Sequence, residues 1–176
     1  IVLDPVGAGA TPYRTQTAER FMDEFPIAVV KGNAGEISTL AGVSATVRGV
    51  DSGSISGDPK ETARRYAKEY GCTVVISGAE DIVSDGKRVV GILNGVPMMG
   101  RISGTGCMAS AVCGAFTAVT DPMDGCIAAM TALGIAGEEA AKTAKGPGSF
   151  KPAFFDAAAA LTKEQFLKSA KITEYS

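Results

Sequence analysis

The residues best placed to do chemistry are Ile102-Ser103-Gly104-Thr105-Gly106-Cys107, followed by a run of small and apolar side chains from Met108 to Val119. Two glycines one residue apart let backbone N–H groups close on an anion, and a helix expected to start at Cys107 adds its positive N-terminal end. Gly104, Thr105 and Gly106 therefore outline a phosphate site. A thiol in the first turn of such a helix has its thiolate favoured by the same field, so Cys107 stands where a proton acceptor or nucleophile is useful. A lone G-x-G-C is also what a tight strand-to-helix turn with a buried cysteine looks like, so its meaning depends on the other polar groups in the chain.

Three further stretches carry such groups. Ile1-Val2-Leu3 runs into Asp4 and the glycine-rich loop Pro5 to Thr11. Ile27 to Val30 runs into Lys31-Gly32-Asn33-Ala34-Gly35-Glu36-Ile37, and Cys72 to Ile76 runs into Ser77-Gly78-Ala79-Glu80-Asp81. Each time polar residues follow an apolar run of strand length, and ligands of open α/β sheets bind outside such strand ends. A cation (Lys31), two carboxylates (Asp4, Glu36), a hydroxyl (Ser77) and an anion hole suit phosphoryl transfer, which is mostly positioning and charge stabilisation. The carboxylates can hold magnesium directly or through its waters. There is no G-x-x-x-x-G-K-[ST] loop and no strand-linked G-x-G-x-x-G.

The elements that must position these groups follow from punctuation and period. Pro12 to Glu24 has Ala18, Phe21, Met22 and Phe25 at helical spacing, and Pro26 closes it. Glu36 to Leu40 can form a short helix stopped by Gly42. Residues 43–58, rich in Gly, Ser, Thr and Asp, form a loop region. Asp58-Pro59 starts a helix that runs to about Tyr70 and stops at Gly71. Ile82 to Ser84 and Arg88 to Ile92 flank Asp85-Gly86, a hairpin signal. Cys107 to Val119 is apolar nearly all round and is expected to be buried. Asp121-Pro122 opens a helix to about Thr143, broken by Lys145 to Ser149. Two terminal helices follow, Phe150 to Leu161 and Thr162 to Ala170, the second with the capping-box pair Thr162 and Gln165. Strands alternating with helices imply one α/β layered domain with a mostly parallel sheet and a peripheral hairpin.

The 176 residues are 45% apolar and 20% charged, a globular composition. A net charge of −2 without any basic stripe sets nucleic acid aside. No apolar run reaches membrane-spanning length, and the first residues show no signal-peptide core. The four cysteines lack C-x-x-C spacing and histidine is absent, so no zinc constellation forms and reduced cytosolic thiols are expected. The chain begins without methionine on what looks like the end of a buried strand, and a missing N-terminal part is expected.

The ordered set LDPVGAGATPYRT, KGNAGEI, VVISG, SGTGC and KGPGSF closely resembles hydroxyethylthiazole kinase, a thiamin-salvage enzyme of the ribokinase-like superfamily. The resemblance runs over essentially the whole chain. It implies a three-layer α/β/α fold, with residues 1–176 a single domain forming the C-terminal portion of the family's full length. It also implies ATP-dependent phosphorylation of 4-methyl-5-(2-hydroxyethyl)thiazole with magnesium, in the cytoplasm, by a homotrimer with active sites between subunits. Position by position, Lys31 resembles the ATP-contacting basic residue, often arginine in the family, and Ser77 a nucleotide-contacting position usually filled by threonine. Gly104 matches a glycine that contacts the thiazole. Asp4 and Glu36 resemble the magnesium and phosphate-side carboxylates, and Cys107 stands where most ribokinase-like kinases place an aspartate base. Other vitamin kinases of the fold, or a nucleotide-dependent hydrate dehydratase, would more typically show aspartate there. A non-catalytic nucleotide- or thiazole-binding module is the alternative outside enzymes. The family also carries strands and a methionine-bearing pocket wall ahead of the point matching Ile1, so the 176-residue chain alone is expected to bind nucleotide weakly and to phosphorylate no thiazole.

Overall fold

The computed structural model describes residues 1–42 and 57–176. All but the last two residues of the loop expected over 43–58 lie outside the described residues. The described elements are an open, mixed six-stranded sheet, hydrogen-bonded in chain order, and seven α-helices. The chain divides into two compact units, one of residues 1–78, 82–89 and 175–176, the other of residues 79–81 and 90–174.

In the first unit β1 (Val2–Leu3), β2 (Val29–Asn33) and β3 (Thr73–Ser77) are parallel neighbours, and β4 (Asp81–Ser84) joins β3 antiparallel. Helices α1 (Pro12–Glu24), α2 (Ala34–Leu40) and α3 (Pro59–Tyr70) connect them. Ala18, Met22, Ile37, Leu40, Ala63, Tyr66 and Ala67 from these helices pack with Val30, Val74 and Ile76 in one core. Side chains alternate along a strand, so Val29, Lys31 and Val75 point to the opposite face, and they are buried as well. Burial on both faces is what parallel strands require.

The α3 boundaries are those of the sequence signals: Asp58 Oδ1 accepts the Lys60 amide at 3.0 Å, proline follows it, and Gly71 closes the helix at φ 64°. β2 runs to Asn33, beyond the expected Ile27–Val30, because its ladder with β3 continues through Lys31↔Val75 to Asn33↔Ser77. A polar side chain does not end a strand whose backbone still has a partner.

In the second unit β5 (Val89–Ile92), of which Val89 belongs to the first unit, leads through a 3₁₀ turn (Pro97–Arg101) into α4 (Thr105–Thr117). Helices α5 (Pro122–Thr143), α6 (Pro147–Ala160) and α7 (Lys163–Ser169) follow, then β6 (Ile172–Tyr175), a strand the sequence did not suggest. α5 packs against both α4 and α6. The Asp121-Pro122 start of α5 and the Thr162/Gln165 capping box are as read from sequence. Two expectations for α4 are corrected. It begins at Thr105 rather than Cys107, and only Ala109 and Cys113 within it are buried, so its all-round apolarity does not translate into all-round burial.

Candidate active site

The first unit brings three parallel strand ends to one sheet edge: Asp4 follows β1, Asn33 ends β2 with Glu36 three residues on, and Ser77 ends β3. Parallel register places Ser77 beside Asn33 and on the same face as Lys31. The Ser77 hydroxyl donates to the Gly32 carbonyl at 3.3 Å, which ties it to the strand that carries the cation. Lys31 is 2% exposed, so it is not a solvated surface lysine.

The Glu36 carboxylate is held at both of its oxygens. Asn33 and Glu36 form a capping box at the start of α2: Asn33 Oδ1 accepts the Glu36 amide at 3.0 Å, and Glu36 Oε2 accepts the Asn33 amide at 2.9 Å. The other oxygen, Oε1, accepts the amide of Gly7 at 2.9 Å, from the loop after β1. That loop is folded by its own turns, Val6 N to Asp4 O at 2.8 Å and Ala8 N to Pro5 O at 3.0 Å. It also lies close on its surroundings: a Cβ at Gly7 would stand 2.8 Å from Arg14 Cδ, and one at Gly9 2.7 Å from Thr39 Oγ1. Arg14 reaches back from α1 and donates to the Val6 carbonyl at 3.2 Å. Asp4 and Arg14 also line a mostly apolar cleft of about 200 Å³ with Leu3, Val6, Tyr13 and Phe21.

In the second unit the turn before α4 has the anion-site form. Gly104 is the N-cap at φ 97°, a left-handed conformation that glycine adopts without a Cβ penalty, and no side chain caps the helix. The first-turn amides, which include those of Thr105, Gly106 and Cys107, have no intrahelical acceptor. Cys107, third residue of the helix, is exposed. The turn is held from behind, where the Thr105 hydroxyl donates to the Met99 carbonyl at 3.1 Å. Lys151 of α6 extends its ammonium to within 3.5 Å of the Ser103 carbonyl.

A model of the hydroxyethylthiazole kinase family matches residues 1–164. The chain belongs to the hydroxyethylthiazole kinase family. It is 83% identical over 175 residues to a hydroxyethylthiazole kinase of Methanocorpusculum labreanum, a match that covers 99% of this chain and 66% of the relative. It is 55% identical to one of Methanosphaerula palustris, covering 98% of this chain and 65% of that relative. The structure of a hydroxyethylthiazole kinase from Pyrococcus horikoshii superposes with a TM-score of 0.90 at 39% identity, over 100% of this chain and 65% of the other. A pyridoxal kinase of Staphylococcus aureus shares the fold at a TM-score of 0.63 and 21% identity, over 99% of this chain and 63% of that one. The ribokinase-like α/β fold implied by the resemblance is thus the fold found. The chain spans slightly under two thirds of the length of these thiazole kinases.

Against the family motifs, Asp4, Lys31, Glu36 and Ser77 fall in the first unit and Gly104, Thr105, Gly106 and Cys107 in the second. Sequence reasoning passed over Arg14, Asn33 and Lys151. Asn33 could have been found from its three-residue spacing to Glu36, which is the capping-box interval. Arg14 and Lys151 left no such signal, because each acts on a backbone carbonyl outside its own helix, eight and 48 residues away.

Proposed function

We propose that the chain carries the phosphoryl-transfer residues of a hydroxyethylthiazole kinase, an enzyme that moves the γ-phosphoryl group of ATP to the hydroxyl of 4-methyl-5-(2-hydroxyethyl)thiazole. The observation that carries this is the 83% identity to a thiazole kinase over 99% of the chain. In this reaction the hydroxyl oxygen of the hydroxyethyl side chain bonds to the γ-phosphorus, the bond from that phosphorus to the bridging oxygen kept by ADP breaks, and the hydroxyl proton leaves. The amides at Gly104 to Cys107 face the transferring phosphoryl oxygens, and Gly104, with open space where a Cβ would be, admits the thiazole. Lys31 and Ser77 contact the nucleotide. Cys107 accepts or orients the hydroxyl proton, and a loose phosphoryl-transfer transition state asks little of a base.

Asp4 and Glu36 would hold magnesium, which neutralises phosphate charge when bound. The donor set fits that role. Among the described residues no three His, Cys, Asp or Glu groups cluster for a metal, so there is no all-protein cage. Each Glu36 oxygen accepts one amide and keeps a lone pair. One or two carboxylates completed by phosphate and water is the usual magnesium arrangement. Among the described residues no helix is long and apolar enough to cross a membrane; a cytoplasmic location goes with the family resemblance. A homotrimer goes with the family resemblance.

The test is a chimera in which this chain replaces the matching part of the Methanocorpusculum labreanum relative, assayed for thiazole phosphate by mass spectrometry. Product is expected, with turnover lowered in Cys107→Ala at nearly unchanged ATP affinity, and weaker ATP binding in Lys31→Ala. A folded chimera that binds ATP and the thiazole but forms no phosphate would leave a binding module instead.

A further inference from the structure

We infer that Glu36 is a positioning residue: its carboxylate clamps the loop after β1 to the start of α2 and so sets the Asp4 loop in its ligand-binding shape before any metal arrives. The inference rests on the kinase proposal for the ligand the loop receives, but not for the clamp itself. Both oxygens are engaged by backbone amides, Oε1 by Gly7 and Oε2 by Asn33, each at 2.9 Å. A carboxylate that served only a cation would not need an amide from its own helix cap and another from a distant loop. Gly7 lies 29 residues before Glu36, so this bond is tertiary, whereas the bond to Asn33 is the local cap. The two differ in consequence: losing the cap frays α2, and losing Gly7 frees the loop that begins at Asp4.

The surroundings leave that loop one seat. Beneath Gly7 is the Arg14 side chain, against Gly9 is Thr39 Oγ1, and Thr39 is itself fixed by donating to the Gly35 carbonyl at 2.8 Å. Glu36 and Thr39 of α2 thus bound the loop at Gly7 and at Gly9. The Gly7 amide is the donor that must find an acceptor there, and charge-assisted bonds of this kind are about twice as strong as neutral ones.

Glu36 keeps a lone pair on each oxygen for magnesium and sets the loop without it, so with magnesium withheld only the second role remains to be read. Removing one negative charge beside a triphosphate leaves metal-free ATP binding unchanged or tightens it, if charge is all that Glu36 contributes. If Glu36 shapes the loop, its removal weakens metal-free ATP binding despite the lost repulsion. The experiment is hydrogen exchange at the Gly7 amide without ligand, together with ATP titration in EDTA, on the full chain and its Glu36→Ala and Asn33→Ala variants. Glu36→Ala is expected to speed Gly7 exchange by about tenfold or more and to weaken metal-free ATP binding by about tenfold. Asn33→Ala, which keeps Glu36, is expected to leave Gly7 protected. Should Glu36→Ala fail to fold, Glu36→Gln retains the volume but one acceptor oxygen, and faster exchange at Gly7 or Asn33 is expected. Unchanged exchange at both, or metal-free ATP binding in the folded Glu36 variant equal to or tighter than wild type, overturns the inference. Gly7 released in the variant, while the folded chimera of the preceding test binds ATP and the thiazole but forms no phosphate, overturns the kinase proposal and leaves the clamp standing.

Discussion

Gly134 of α5 lies against the backbone of Asn94: a Cβ built on the glycine would stand 2.6 Å from both the carbonyl carbon and oxygen of Asn94. Asn94 cannot step aside, because its side chain donates to the Ser169 carbonyl at 2.9 Å and to Glu138 Oε1 at 3.2 Å, and accepts the Lys171 amide at 2.7 Å. Gly134→Ala gains about 1 kcal/mol of helix propensity but overpacks a backbone contact that cannot relax, which puts the cost in the upper part of the usual range, about 2–3 kcal/mol. Net destabilisation by about 1–2 kcal/mol is therefore expected in chemical denaturation. Gly148, helical and exposed with nothing within 4 Å of its Cβ position, is the control, and Gly148→Ala is expected to stabilise. Equal effects of the two substitutions would contradict the close approach.

Glu138 supplies a pH dependence in the same network. Burial by itself raises its carboxyl pKa, but hydrogen bonds from the Gly95 amide, Lys171 and Asn94 together outweigh burial and hold it below its ordinary value. A depressed folded-state pKa means that the contribution is fully present above the unfolded value of about 4.3 and is lost as pH falls through the folded one. Glu138→Gln keeps an acceptor but loses the charge that strengthens the Lys171 bond at 3.0 Å. It is expected to cost about 1–2 kcal/mol at pH 7, with the gap to wild type closing in acid below the unfolded value. A gap of the same size at pH 3 as at pH 7 would place the effect elsewhere.

Where chemistry is local, the sequence read well. Asp58-Pro59 with Gly71, Asp121-Pro122, and Thr162 with Gln165 carry their boundaries in caps of two or three residues, and the structure has them there. β2 and β6 were harder, because a strand's extent is set by a partner distant in sequence. Lys31 and Asn33 join β2 only through β3, and Ile172–Tyr175 has no alternation that separates it from a loop. The start of α4 moved two residues because Gly104, left-handed, caps the helix directly. At the candidate site the strand ends were legible from polar residues following apolar runs. The double engagement of Glu36 was not, since its second partner, Gly7, sits in another loop. Burial of Lys31 was equally hidden, because it depends on which face of β2 the residue takes.

Cys107 offers a local probe of the anion turn, because it alone of the four cysteines is exposed. A disulfide reagent attacks through the thiolate, and burial pushes the Cys72 thiol up to about 11. The Cys126 thiol is pushed up further, first by its hydrogen bond with Cys113 and then by burial. Those buried thiols react only through opening of the fold, and an opening free energy of about 3 kcal/mol slows them by a factor on the order of a hundred. At pH 8 one thiol per chain is expected to react fast, none in Cys107→Ser, and all four in denaturant. If the amides at Gly104 to Cys107 bind phosphate, inorganic pyrophosphate will slow the fast phase in a concentration-dependent way, because it places negative charge beside the attacked sulfur and covers it. Two or more fast thiols in the native chain would contradict the burial of Cys72, Cys113 and Cys126. A fast phase indifferent to pyrophosphate at every concentration would remove the turn from phosphate binding, whatever its backbone shape.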